Sequence, residues 1–413
     1  MTYQGKIDAG ATLFQGAQVL LADQIVETSV LIEGGRIAEI GGTSAGDRVV
    51  DARGLMLAPA LVDLHGDAFE RQMMPRPGVF FPMDTAVLET DRQLAANGIA
   101  TAYHSLTLSW EPGLRSLEQS RGTIQAIRDL APRLTVENRI QLRWETFCFE
   151  AMDLIDWALQ APLKPSIAFN DHTTMGVLHP DVPIQKRPFD QAPDFPVADL
   201  HSPAFARKMD KRAKRAGVTE EEYAALIRTR WEKRPDVPAA IGKVAEAGRR
   251  AGVAMLSHDD TQPETRAYYR ALGATVSEFP MVIEAAQAAR EGGDFIVFGS
   301  PNAVRGGSHI GSLAAADMVE AGLCDALASD YYYPAMLAAV ARLDAEKRAP
   351  RPELWSLISK GPARAMKLDD RGEISVGQRA DLVLVDWPDQ GTPAIRATYV
   401  AGRPAYAAMP LGQ

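Results

Sequence analysis

At residues 58–66 the chain runs APALVDLHG, a short apolar segment with its polar residues gathered at the C-terminal end. A strand buried on both faces has this texture: nearly continuous hydrophobic residues rather than alternation. Seven further runs share it. They are GIATAYHSLTL (98–108), RIQLRWETF (139–147), PSIAFNDH (165–172), GVAMLSHDD (252–260), GATVSEFP (273–280), DFIVFGSPN (294–302) and CDALASDYY (324–332). Helical patterns separate most of them, such as DTAVLETDRQLAANG (84–98) and MVIEAAQAAREGG (281–293). Strands joined by helices predict an α/β fold, and closure into a (β/α)8 barrel over residues 59–356 is the simplest arrangement of these units. An open doubly wound sheet is the alternative, but no GxGxxG loop follows the first strand.

The two ends differ from this middle. TLFQGAQVLL, TSVLIEGG and RIAEIGG near the N-terminus are short strand-like runs broken by turn residues, and Gly34-Gly35 suits a hairpin. GEISVGQRADLVLVDW and ATYVAGRPAY repeat the pattern near the C-terminus. Residues 11–58 and 357–410 are therefore expected to form one small β-sandwich domain. Residues 179–235 break the strand–helix rhythm and predict a helical insert. Its basic run Arg207, Lys208, Lys211, Arg212, Lys214 and Arg215 is expected on a solvated face, with a lid or partner surface as the sharper reading. Thr219 and Glu222 have the spacing of a capping box before the last helix of the insert.

The 413 residues suffice for a barrel of roughly 250 residues plus an accessory unit. At 46% hydrophobic and 23% charged, the composition is that of a soluble globular protein. The net charge of −9, from 44 basic and 53 acidic residues, argues against a nucleic-acid partner. No apolar run approaches the ~18 residues of a membrane span, and MTYQGKIDAG lacks the apolar core of a secretory signal. Two cysteines, Cys148 and Cys324, make no disulfide framework and fit a reducing cytoplasm, the expected location.

The chemistry-bearing residues sit where the strand candidates end. His65 and Asp67 follow ALVDL, Glu145 ends IQLRW, and Asp171 and His172 follow SIAFN; His258, Asp259 and Asp260 follow AMLS, and Asp330 follows DALAS. Strand C-termini of a barrel open onto one face, so residues far apart in sequence are expected to converge there. Histidines and carboxylates together form a mixed N/O donor set suited to Zn²⁺, and also to Mn²⁺ or Fe²⁺. Such a cluster would be costly to bury without a cation. His104, inside a strand candidate, is expected to pack or to support the site from behind. His179 and His201, in the insert, lack a strand context. Arg305, Gly306, Gly307, Ser308 and His309 form a glycine-rich loop with donors for a phosphate. Arg71 and Arg76 follow the first strand, and Arg76 stands between two prolines on a stiff backbone.

The frame resembles the amidohydrolase superfamily in its β-rich ends, its LAPALVDLHGD start and its late Ser-Asp pair. LVDLHGDAFERQMMPRP (61–77), LSHDD (256–260), GSPNAVRGGSHIGS (299–312) and LASDYYYPAML (327–337) look like the branch of phosphonate-pathway diphosphatases. These enzymes act on α-D-ribose 1-methylphosphonate 5-triphosphate. The resemblance runs from about residue 29 to residue 403. It implies His65, Asp67, Glu145, His172, His258 and Asp330 as a shell for one or two divalent ions. Beside this shell, Asp330 is expected to orient water as the catalytic residue, and the cationic loops offer Arg71, Arg76, Arg305, Ser308 and His309 as substrate contacts. Instead of His-x-His the chain carries His65-x-Asp67, and Glu145 stands in for the usual carbamylated lysine. Glu278 stands where many members of the superfamily place another histidine, and it ranks below the six. The implied activity is hydrolysis of a phosphoanhydride, with pyrophosphate released. C–N bond hydrolysis is the enzymatic alternative and a non-catalytic scaffold the alternative outside enzymes. The expected partner is a small anionic phosphorylated substrate, with homo-oligomerisation left open.

Overall fold

The computed structural model describes residues 10–307, 311 and 313–408. Eight parallel strands form one sheet, each hydrogen-bonded to the next in chain order. They are β1 (Leu61–Gly66), β2 (Ile99–Leu108), β3 (Glu137–Glu145), β4 (Ser166–Asn170), β5 (Met255–His258), β6 (Val276–Glu278), β7 (Phe295–Gly299) and β8 (Ala326–Ala328). Each coincides with one of the runs picked out above. The sheet closes on itself where β8 meets β1. There the Asp330 N–H donates to the His65 carbonyl at 2.9 Å, and the Asp67 N–H donates to the Asp330 carbonyl at 2.8 Å. Beneath this seam the buried Asp63 carboxylate accepts from the Ser329 N–H at 3.0 Å and its hydroxyl at 2.6 Å.

The barrel interior is layered. Val62, Leu64, Ala168, Leu256, Val276, Val297, Ala326 and Ala328 fill its lower part as a single apolar cluster. Two residues further along the same strands the interior turns polar: Leu256 gives way to His258, Val276 to Glu278 and Ala328 to Asp330. Side chains two apart face the same side of a strand, so the polar layer lies directly on the apolar one. The pairing register of β1 shifts between Asp63 and Gly66, and this brings His65, one residue after Leu64, to the same interior.

Both termini build a second sheet. Thr12–Leu20 pairs antiparallel with Ile25–Glu33 and parallel with Arg48–Asp51 and Met56–Pro59. Met56–Pro59 in turn pairs with Leu382–Asp386, joining the two ends of the chain. Phe14, Val30, Ile37, Leu57, Leu384 and Tyr399 are part of its core. The terminal sheet is pinned to the helices around the barrel by polar contacts: Trp355 Nε1–H, on the helix Arg351–Ser356, donates to the Pro59 carbonyl at 2.9 Å, and the Thr398 hydroxyl donates to the carbonyl of Ala95, on the helix Met83–Ala96, at 2.7 Å. Among the described residues no helix is long and apolar enough to cross a membrane.

Candidate metal centre

The six residues implied as ligands converge at the C-terminal mouth of the barrel. His65, Asp67 and Asp330 place one ligand atom each within 4.8 Å of one another, and so do His172, His258 and Asp259. Glu145 joins the second group through His172. Its carboxylate lies 2.5 Å from His172 Nδ1 and accepts from the His172 N–H at 3.0 Å. Burial pushes the Glu145 carboxyl up, but His172 and Arg143 outweigh it and hold the group down at about 2. Burial pulls the His172 imidazole below its ordinary value. The Asp330 carboxyl is pushed up to about 6, first by burial and then by the charge of Asp67.

Local backbone conformation supports the cluster. Asp259, Phe279 and Asp330 each follow the tip of a strand, and their φ angles are 57°, 57° and 56°. Left-handed backbone is unusual for residues other than glycine and gathers at sites that the surrounding structure over-determines. His172 begins the helix His172–Val177, and Asp171 caps it by accepting from the Thr174 N–H at 2.8 Å. Burial and the neighbouring Asp190 push the Asp171 carboxyl up to about 8.

Glu278 is more central than its rank in the sequence suggested. It is fully buried, with Oε2 2.7 Å from His258 Nδ1 and Oε1 2.8 Å from His65 Nδ1. Gln141 Nε2 donates to Oε1 at 2.8 Å. One carboxylate thus takes the Nδ1 side of both imidazoles, whose rings stack with centroids 5.5 Å apart. Burial works against the ionised carboxylate, but the two histidines hold it well below the usual range.

Arg143 belongs to the site although it is not among the residues expected there. It lies on β3 two residues before Glu145, buried, with Nη1 3.5 Å from Asp67 Oδ2 and Nη2 3.3 Å from His258 Nε2. Among the described residues its Nε has no hydrogen-bond partner. The alternation R-I-Q-L-R-W-E was the available signal. Ile140, Leu142 and Trp144 face the surrounding helices, leaving Gln141, Arg143 and Glu145 to face the interior.

The rim is less converged. Arg71 is exposed, its guanidinium 5.9 Å from the centroid of the Tyr331 ring. Tyr331, Tyr332 and Arg305 line a cavity of about 520 Å³. Arg76 is exposed on a turn where the Val79 N–H donates to its carbonyl at 3.0 Å. Ser308 and His309 lie outside the described residues. His104 is buried, 2.7 Å from the Asn138 side chain. His179 is half-buried, 3.6 Å from the Asp181 carboxylate, and His201 is exposed.

The insert corrects one expectation: its basic run is not a wholly solvated face. The Arg212 guanidinium donates to the His172 carbonyl at 3.0 Å, Arg215 pairs with Glu111 at 2.7 Å, and Lys208 donates to the Leu178 carbonyl at 3.0 Å. Only Arg207, Lys211 and Lys214 keep the expected outward role, and Lys214 pairs locally with Asp210. Arg187 plugs the start of the insert into the mouth, donating to the Asp259 carbonyl at 2.9 Å. The physical reason is simple: a helical Arg or Lys reaches several ångströms, so its partner depends on the tertiary neighbour and not on local spacing.

Comparison with known proteins gives a consistent picture. Residues 186–406 match the model of a family described as "Amidohydrolase family". The chain is 30% identical over 383 residues to the alpha-D-ribose 1-methylphosphonate 5-triphosphate diphosphatase of Escherichia coli (strain K12), covering 91% of this chain and 96% of that one. A shorter match, 44% over 64 residues, links 14% of this chain to an adenine deaminase of Deinococcus deserti. Among solved structures, a beta-aspartyl dipeptidase from Fervidobacterium islandicum superposes with a TM-score of 0.60 at 15% identity, covering 98% of this chain and 99% of that one. An adenosine deaminase from Xanthomonas campestris with bound zinc gives 0.59 at 14%, covering 95% and 92%. These structural likenesses speak for the fold.

Proposed function

We propose a function from one premise: this chain belongs to the amidohydrolase family and is a hydrolase of that superfamily. The reading best supported is a divalent-metal diphosphatase that cleaves α-D-ribose 1-methylphosphonate 5-triphosphate to the 5-phosphate and pyrophosphate in phosphonate degradation. The observation that carries it is the 30% identity to the Escherichia coli diphosphatase over 91% of the chain. The donor set fits a metal: neighbouring imidazoles and carboxylates with ligand atoms within 4.8 Å, and an excess of buried carboxylates that a cation would balance.

In this proposal His65, Asp67 and Asp330 hold the ion, while Glu145, His172 and His258 form the facing wall. Zn²⁺ suits these donors, as do Mn²⁺ and Fe²⁺. A bound divalent ion would polarise a phosphoryl oxygen and bring the pKa of water toward ~7. Asp330 orients the attacking water and receives its proton on the carboxylate. Arg305 and Arg71 neutralise charge on the triphosphate, and Arg143 presents a fixed positive charge from the floor. Arg76, Ser308 and His309 complete the proposed substrate contacts.

The deciding experiment is ³¹P NMR of the metal-loaded enzyme with α-D-ribose 1-methylphosphonate 5-triphosphate, beside a nucleoside triphosphate. Pyrophosphate from the phosphonate alone is the expected result. Ammonia released from purines, with no phosphorus product, would move the assignment to C–N hydrolysis, the reading kept in view by the short adenine deaminase match. Arg305→Ala is expected to lower kcat/KM at least tenfold with metal content unchanged. Unaltered kinetics would remove Arg305 from the substrate site.

A further inference from the structure

We propose that the centre takes a single divalent ion, at His65, Asp67 and Asp330, and that the Arg143 guanidinium is a permanent cation holding the ground of a second. This rests on the metal-dependent reading above and deepens it.

Three groups of donors have ligand atoms within 4.8 Å of one another. In one of them, His65, His258 and Glu278, the atoms are in direct contact at 2.8 Å and 2.7 Å, and Arg143 sits between the other two. It is 3.5 Å from Asp67 in the first group and 3.3 Å from His258 in the second. A guanidinium has only N–H donors and stays charged in proteins. His258 Nε2 must therefore accept from it, and Nδ1 carries the proton that goes to Glu278 at 2.7 Å. Both nitrogens of His258 are then committed. An imidazole nitrogen has one lone pair, so His258 cannot accept from Arg143 through Nε2 and bind an ion there at once. His172 lies 2.5 Å from Glu145 through Nδ1 and keeps Nε2, so the second group fails at His258.

The first group is free by comparison. His65 faces Glu278 through Nδ1, leaving Nε2 available. The Asp330 side chain accepts no hydrogen bond from the described residues, and Asp67 gives one oxygen to Arg143 and keeps the other. Three protein ligands with open positions is the pattern of a catalytic site. Arg143 has little room to withdraw, being 7% exposed and rooted on a central barrel strand between β2 and β4. A second divalent ion would have to displace it from His258 and then share the pocket with its charge.

The test is metal stoichiometry. Protein loaded with excess Zn²⁺ and freed of unbound metal by gel filtration is assayed by plasma mass spectrometry. The wild type is expected to retain one ion per chain, Arg143→Lys one, and Arg143→Met two. Two tightly held ions in the wild type, or one in a folded Arg143→Met, would overturn the proposal. No retained ion would instead remove the metal centre itself. Should Arg143→Met not fold, Co²⁺ titration of the wild type decides. Loss of the high-spin paramagnetic signal at a second equivalent, the mark of a coupled pair, overturns the inference. A signal that saturates at one equivalent and persists supports it.

Discussion

At the scale of single residues the site depends on carboxylates that do not themselves face the substrate. Glu278 touches His65 and His258 together, fixing which nitrogen of each is turned toward the cavity. Carboxylates of this kind orient metal-binding imidazoles and raise their basicity, and losing one typically costs 10- to 100-fold in metal affinity. Glu278→Gln is expected to weaken metal binding by that order, measured by competition with a chromophoric chelator. A glutamine can accept from one N–H only and turns its amide toward the other ring. Unchanged affinity would show that barrel packing alone aims the two rings.

Strands and helices decided how much could be read beforehand. All eight barrel strands were legible because burial on both faces leaves an apolar run that no surface strand would tolerate. The ends of those runs gave His65, Asp67, Glu145, His172, His258 and Asp330, and the fold brings them together. Arg143 was hidden for the converse reason. In an isolated strand, alternation of Ile140, Leu142 and Trp144 with Gln141, Arg143 and Glu145 signals a polar face toward water. In a closed barrel that polar face is the floor of the cavity. The insert shows a similar division. Its capping box between Thr219 and Glu222 is present as spaced, whereas the inward reach of Arg212 and Arg215 carries no local signature. Thr219→Ala is expected to destabilise the helix Glu220–Trp231 by about 1 kcal/mol, read as faster amide exchange in that helix with kcat unchanged. Arg212→Ala removes a donor from the His172 carbonyl and is expected to raise KM or lower metal content. If it changes neither, the insert does not steady His172 through this contact.

Across the whole molecule, one half-buried cluster ties the bottom of the barrel to the C-terminal segment. Glu137, at the start of β3, pairs with Arg139 at 2.6 Å, Arg371 at 3.0 Å and Arg379 at 2.5 Å. Burial raises its carboxyl, but the three arginines, Arg371 foremost, hold it at about 2 against an ordinary 4.5. A carboxyl depressed by folding contributes stability that is present above its unfolded value and lost as pH falls toward the folded one. The loss should fall between about pH 4.5 and pH 2 and amount to roughly 3 kcal/mol. Denaturant titrations across this range are expected to show that slope, and Glu137→Gln to flatten it; a variant as acid-sensitive as the wild type would place the linkage elsewhere. The seam of the barrel has a different consequence. The backbone bonds that close it belong to His65, Asp67 and Asp330, the residues proposed to grip the ion. An ion held there would brace from the side chains the same fastening that the backbone already makes. Deuterium uptake at the Asp67 and Asp330 amides becomes a gauge of occupancy, slowing as the site fills and quickening when a chelator empties it.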